Sequence, residues 1–406
     1  MELLATMSSG YVFPNELHVQ WKLMIVLYPY ITGIVAGAFI VSSMHHVFHV
    51  KTLQPLARMS LLFALAFLAC AAMPLLVHLG QPGRALSIFL TPNPSSAMAG
   101  FGYLYAAYAI LLVLEIFFLY RPVLVARFQT SRGIKRVFYW LLAMGSDNVS
   151  VDTLEMDRRI VRVLSALGIP MACLLHGYVG FIFGGVKAVP LWATPLMPVI
   201  FLLSACVSGI AGVILCYIIV KRLRGERVDT EAVRTALRFL WGFFILDVTF
   251  EILEVFSHSY MATSHWTTLH ELLWGPLYQS YWVWQVMVFS AIPLALLGFV
   301  ILTRASARIV KLVAPVACSM ILIQVLLMRW NVVIGGQLMS KSGRGAVYYQ
   351  PEWLEREGIL ISIAVMFIPV IVLYLLERVL PFWPDGQTTT SESESAGAPH
   401  GATVVR

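Results

Sequence analysis

Nine runs of about 20 or more apolar residues limit what this chain can fold into, because a helix of that length crosses a hydrocarbon core of about 30 Å. Only 12% of the 406 residues are charged, against about 25% in a soluble domain. This composition excludes a soluble globular protein and predicts an all-α polytopic membrane protein of about nine transmembrane helices, with eight to ten as the range. The runs fall at roughly 23–48, 57–79, 99–119, 163–185, 196–219, 237–257, 280–302, 312–333 and 359–377.

Two other segments read differently from the nine runs. Residues 134–144 are apolar but too short to span, so we expect an interfacial helix there, with a tenth span as the alternative. Residues 386–406 are polar and rich in small residues, which predicts a disordered cytoplasmic tail behind an integral membrane domain at 1–385.

Positive charge indicates the orientation of the helices. In a nine-span arrangement the odd-numbered loops and the C-terminal tail hold 21 of the 28 Lys and Arg residues. Because Lys and Arg accumulate in cytoplasmic loops, this predicts a periplasmic N-terminus and a cytoplasmic C-terminus in a bacterial inner membrane. The net charge of +7 then reflects topology, and we expect no nucleic-acid partner.

The sixth run carries four titratable residues at spacings of 4, 3 and 4, namely Asp247, Glu251, Glu254 and His258. This spacing places them on one face of a helix, in a stripe about 16 Å long. Ionisable groups inside a membrane are expensive and mark functional sites by default, so the stripe predicts a proton-transfer path. The alternative is that these residues only bond to neighbouring helices.

Other polar residues fall into two groups. Glu115 and His176 lie inside spans three and four and are candidates for proton transfer or for structural hydrogen bonds. At the outer ends of the spans lie donors suited to a quinone headgroup, with interface anchoring as the alternative role. This predicted quinone-binding set is Asn15, His18, His78, Arg84 and Arg329.

Two other classes of membrane protein compete with a quinone protein. A haem b anchor needs two histidines facing each other from separate helices, and His18, His78 and His258 could form such a pair at the outer side. A proton-coupled transporter could also use a charged stripe and proline-broken helices. The five cysteines are scattered and contain no C-x-x-C, so the chain predicts neither a metal site nor an iron–sulfur cluster.

Four passages of the chain have a distinctive pattern. They are YPYITGIVAGAF at 28–39, HLGQPGRALSIFLTPNPSSAMAGFGYLY at 78–105, HGYVGFIFGG at 176–185 and RWNVVIGGQLMSKSGRG at 329–345. The most specific is the His-Leu-Gly-x-Pro-x-Arg loop at residues 78–84, followed by Thr-Pro-x-x-Ser. These passages resemble the polysulfide reductase membrane-subunit family (NrfD/PsrC-like), and among its longer members the chain resembles DsrP.

The resemblance implies two four-helix bundles plus an extra helix, and a quinone site facing the periplasm near His18 and Asn15. It implies menaquinone or ubiquinone as the cofactor, without haem, metal or cluster on this chain. It further implies a periplasmic iron–sulfur partner, further cytochrome or membrane subunits, and a role in sulfur metabolism. The expected function is that of a quinone-interacting subunit of a respiratory oxidoreductase, with no catalytic residues of its own.

Overall fold

The computed structural model describes residues 18–261, 266–339 and 347–383. In these ranges the chain forms nine long helices and no β-strand. They are α1 Leu23–His46, α2 Gln54–Ala71, α3 Ala97–Thr130, α4 Val151–Gly184, α5 Met197–Leu223, α6 Thr230–Met261, α7 Tyr278–Leu302, α8 Ala307–Val333 and α9 Ile359–Val379.

Eight of these helices, all except α6, are long and apolar enough to cross a membrane, with α2 continued by the short helix Met73–His78. This confirms an all-α polytopic membrane protein. Helix α6 is as long as the others, but its apolar part contains Asp247, Glu251 and Glu254. Its composition therefore differs from that of a simple lipid-facing span.

Several helices extend beyond the apolar runs from which they were predicted. Helix α3 continues 11 residues past its apolar run to Thr130, and α4 begins 12 residues before its run, at Val151. Hydropathy marks only the part of a helix that can lie in lipid, whereas hydrogen bonding carries the helix into the polar region. Ser96 and Ser150 set the starts of α3 and α4, because their side chains accept hydrogen bonds from the backbone N–H three residues later.

The long helices pack into two four-membered rings, as the family resemblance implies. In the first ring α1 contacts α2, α2 contacts α3, α3 contacts α4 and α4 contacts α1. In the second ring α5, α6, α7 and α8 contact one another in the same cyclic order. Helix α9 packs against α2 and α1, outside both rings.

The two bundles meet where α1 crosses α5 at Gly37 and Gly209. A Cβ added to Gly37 would lie 2.3 Å from the carbonyl oxygen of Ala205, and one added to Gly209 would lie 2.4 Å from the backbone nitrogen of Ala38. Small residues at a helix crossing allow the backbones to touch, which replaces the hydrophobic driving force that is missing inside lipid. This crossing fixes the distance between the bundles.

Two predicted segments have different outcomes. Residues 134–142 form a nine-residue helix, Ile134–Leu142, which is too short to be a tenth span. The predicted tail at 386–406 lies outside the described residues, so its disorder stays a prediction.

Candidate functional site

A buried arginine lies where the two bundles meet. Arg329 of α8 has no solvent-exposed surface, and its Nη2 atom donates to Ser204 Oγ at 2.6 Å and to the Phe201 carbonyl at 3.3 Å. The same Nη2 atom lies 3.2 Å from His176 Nε2, and the guanidinium carbon lies 3.8 Å from the centre of the Phe201 ring. The guanidinium is therefore held by hydrogen bonds and by a cation–π contact between α4, α5 and α8.

Two carboxyl groups of α6 lie near this charge. Asp247 is fully buried and Glu251 is 6% exposed, and both lie within electrostatic reach of Arg329. Both carboxylate oxygens of Asp247 are buried without a hydrogen-bond partner among the described residues. A buried carboxyl group without a hydrogen bond is unusual, because removing a polar group from water without a replacement partner costs roughly 2–7 kcal/mol.

Glu251 is held by two glutamines instead. Gln285 of α7 donates to Glu251 Oε2 at 2.9 Å, and Gln324 of α8 donates to Glu251 Oε1 at 3.2 Å. The side-chain oxygen of Gln285 in turn accepts from Asn331 Nδ2 at 2.7 Å. The result is a chain of polar side chains that links α6, α7 and α8 inside the second bundle.

Gln285 lies in a π-helix that forms the first 14 residues of α7, Tyr278–Ala291. Such wide turns occur mostly as short bulges and are frequent at functional sites. Here the π-helix holds Gln285, which contacts Glu251, and Tyr281, which lies next to a cavity. We infer that the irregular helix places these two polar groups against α6.

That cavity lies at the C-terminal end of α6. The opposite end of the molecule, where α1, α3, α5 and α7 end, carries most of the Lys and Arg residues and is called the basic end. The cavity has a volume of about 30 Å³, and its walls include Glu251, Glu254, His258, Tyr281 and Gln285. One water molecule needs about 10–15 Å³ on this scale, so one or two waters fit while a quinone ring does not. The cavity joins three of the four stripe residues to one polar space.

The last two stripe residues lie closest to the end of α6. One oxygen of Glu254 is buried without a hydrogen-bond partner in the described part of the chain. His258 is half-buried and lies four residues further along the helix. Together with Glu251 they form a row along α6. Burial decreases along this row, from the hydrogen-bonded Glu251 to His258 near the surface.

Glu115 is separate from this row. It is fully buried inside the first bundle, where Ser165 of α4 donates to Glu115 Oε1 at 2.5 Å. Its other oxygen has no hydrogen-bond partner within the described ranges. Its contacts thus involve α3 and α4, whereas the stripe residues contact α7 and α8.

The predicted quinone-binding residues do not form one cluster. Arg329 is buried, whereas His18 and Arg84 are exposed. His78 Nδ1 lies 2.9 Å from Glu357 Oε2, which gives this histidine an anchoring contact to the loop before α9. Asn15 lies outside the described residues.

His18 nevertheless lies at the same end of the molecule as the cavity. Trp21, three residues later, stacks on Trp192 with ring centres 5.0 Å apart. The indole nitrogen of Trp192 donates to the carbonyl oxygen of Val332, a wall residue of the cavity, at 2.5 Å. The segment after His18 is thus connected to the cavity wall through two stacked tryptophans.

A family model described as "Polysulphide reductase, NrfD" matches residues 13–341, which include α1 to α8. The chain belongs to this NrfD family. The match includes the buried site and the loop that contains His78 and Arg84, and it ends before α9. The specific likeness to DsrP stays a prediction.

Three relatives show how widely this family is distributed. A selenate reductase subunit of Mesobacillus selenatarsenatis is 28% identical over 86% of each chain. Protein NrfD of Escherichia coli is 24% identical over 82% of this chain and 99% of its own length. The Hdr-like menaquinol oxidoreductase integral membrane subunit of Archaeoglobus fulgidus is 21% identical over 68% of this chain and 62% of that protein. NrfD-family proteins are thus membrane subunits of reductase complexes, and such complexes are generally linked to quinones.

Sequence reasoning missed the uncharged members of the buried site. Gln285, Gln324 and Asn331 each lie inside a long helix and are at most 2% exposed. An amide in an apolar run is a weaker signal than a carboxylate, because it costs less to bury. The signal was available in the sequence: each amide interrupts an apolar run of a helix that packs near α6.

Proposed function

We propose that this NrfD-family protein exchanges electrons between a membrane quinone and an iron–sulfur subunit of a reductase complex, and that α6 supplies or removes the accompanying protons. Quinone reduction takes up two electrons and two protons, so a quinone site needs titratable groups that communicate with water. The row from Glu251 through Glu254 to His258, ending at a cavity that admits water, is the observation that carries the proposal.

The proposal puts the quinone headgroup at the end of the molecule that contains His18 and His258. The cavity itself is too small for the ring, so its place in the proposal is to hold water between Glu254 and the headgroup. His18, exposed at this end, supplies a donor to one quinone carbonyl. His258 exchanges protons at the opposite carbonyl of the ring. Menaquinone and ubiquinone both meet these requirements.

The orientation in this proposal follows from the distribution of positive charge, and the further subunits and the substrate follow from the family resemblance. The positive-inside rule places the basic end in the cytoplasm and the quinone end at the periplasmic face of the inner membrane. The iron–sulfur partner then docks on the periplasmic face, near His18 and the loop at 78–84. Further membrane or cytochrome subunits complete the complex, and its terminal substrate is a sulfur compound.

Binding of a quinone analogue tests this proposal. In a titration of the purified protein with a hydroxyquinoline N-oxide, followed by fluorescence quenching, we expect saturable binding at about one site per chain. His18→Ala should weaken this binding about tenfold, which corresponds to about 1.4 kcal/mol for one lost contact. Glu155→Gln, an exposed change at the basic end, is the matched control and should leave binding unchanged.

Two outcomes would contradict the proposal. If the folded protein shows no saturable binding, the chain does not carry a quinone site. If binding is saturable but equal in the His18→Ala variant and the original chain, the headgroup lies elsewhere and His18 has no part in it.

A further inference from the structure

A second cavity, far larger than the first, lies at the basic end of the first bundle. Its volume is about 570 Å³, within the range of about 300–1,000 Å³ that is usual for ligand sites. It is formed by the end of α1, the start of α2, the part of α3 that follows its apolar run and the part of α4 that precedes its apolar run. The proton-transfer row of α6 contributes no residue to it.

The charged lining of this cavity is strongly positive. Lys51, Arg58, Arg158 and Arg162 supply four cations against a single carboxylate, Asp157. That carboxylate is already paired, because Arg121 Nε lies 2.9 Å from Asp157 Oδ2. The cations of the wall therefore lack a matching anion among the lining residues.

Three histidines complete the polar part of the wall, namely His45, His46 and His49. The Nε2 atom of His46 is buried without a hydrogen-bond partner in the part of the chain that the structure describes. His49 has a φ of 55°, a left-handed conformation that is uncommon outside glycine and that clusters at functional sites. These histidines therefore add unpaired or polar ring nitrogens to the wall.

The remaining lining residues are apolar. Phe118 and Leu119 end the apolar run of α3, and Pro122 and Val161 continue this wall. The cavity therefore lies at the level where the helices leave the hydrocarbon core. A ligand there meets both cationic and apolar side chains.

From this arrangement we propose that the cavity binds the phosphate headgroup of an anionic phospholipid. Phosphate oxygens match the forked donors of arginine, and basic pockets between transmembrane helices are recognised sites for anionic lipid headgroups. The apolar wall suits the glycerol and first methylenes of such a lipid and offers nothing to a soluble phosphate. The inference is independent of the proposed quinone function, because it uses none of the same residues.

The test is a lipid titration of the full-length purified protein in a non-ionic detergent, with the midpoint of thermal unfolding as the readout. Phosphatidylglycerol should raise the midpoint in a saturable way, whereas phosphatidylcholine should not. The variant Lys51→Gln/Arg162→Gln removes two exposed cations of the wall and should weaken the apparent affinity for phosphatidylglycerol by about 10- to 30-fold. Native mass spectrometry of the two proteins should show retained phosphatidylglycerol only with the original chain.

The matched control is Arg227→Gln/Arg308→Gln, which removes two exposed cations at the same end of the second bundle. Its affinity should stay within about twofold of the original, because surface charge away from the cavity is screened by salt. Equal loss in both variants, or equal stabilisation by phosphatidylcholine, overturns the proposal. Competition by millimolar inorganic phosphate overturns the lipid assignment, because the site then recognises phosphate without the lipid.

Discussion

Arg329 Nη2 lies 3.2 Å from His176 Nε2, so the imidazole accepts a hydrogen bond from a group that only donates. The proton of the neutral ring is therefore on Nδ1, which is buried and has no partner within the described ranges. This pair joins α4 of the first bundle to α8 of the second. It places a permanent positive charge next to the carboxylates of α6.

Removing this charge should destabilise the protein. Arg329→Gln removes the buried guanidinium that donates to Ser204 and to the Phe201 carbonyl, and hydrogen bonds of a charged donor contribute about 1.5–3 kcal/mol. We expect a lower free energy of unfolding, measured by thermal or denaturant unfolding in detergent. Arg84→Gln, an exposed arginine, is the control and should change the free energy by less than about 0.5 kcal/mol. Equal stability of the two variants would show that the hydrogen bonds of Arg329 do not stabilise the fold.

Removing a titratable group near the cavity should slow turnover without disturbing binding. Glu254→Gln keeps the shape of the side chain but cannot carry a proton, so quinone turnover by the assembled complex should fall about 100-fold or more. Binding of the hydroxyquinoline N-oxide should change by less than about twofold, well under 1 kcal/mol. Glu231→Gln, exposed at the other end of α6, should leave both values unchanged. Unchanged turnover in Glu254→Gln would remove the α6 row from the mechanism.

The π-helix of α7 offers a test of the amide contacts. Gln285→Leu removes one donor to Glu251 and the acceptor of the Asn331 amide, which should lower the free energy of unfolding by about 1–3 kcal/mol. Turnover should also fall, because the position of Glu251 is then fixed only by Gln324. Gln279→Leu, exposed on the same π-helix, is the control for the change in side chain. A loss of stability in Gln279→Leu as large as that in Gln285→Leu would contradict the role of the amide chain.

The crossing of α1 and α5 should tolerate no added carbon. Gly37→Ala places a Cβ 2.3 Å from a backbone oxygen, so the bundles must separate, at a cost of about 1–3 kcal/mol. Gly242→Ala is the matched control, because it lies inside α6 with open space around it and should be neutral or slightly stabilising. Thermal or denaturant unfolding of both variants measures the difference in their free energies of unfolding. If Gly37→Ala is as stable as Gly242→Ala, the crossing is looser than its geometry indicates.

The sequence alone was sufficient for the fold class and for placing Asp247, Glu251 and Glu254 on one face of α6. Apolar runs predict spans because lipid offers no partner to an exposed backbone, so each span must be a helix. The spacing of Asp247, Glu251 and Glu254 predicts their common face, because helical periodicity is a local property. The same reasoning failed at the helix ends: Thr130 and Val151 lie well beyond the runs, where hydropathy no longer reports on helix formation.

Tertiary structure alone decided which polar groups act together. Arg329 was grouped by sequence with His18 and Arg84, yet it lies buried beside His176, and Gln285 and Gln324 of other helices hold Glu251. These contacts join residues that are 34 to 153 positions apart in the chain. Helical periodicity specifies which side of one helix is polar, whereas the partner of that side depends on how the helices pack, which is a property of the whole bundle.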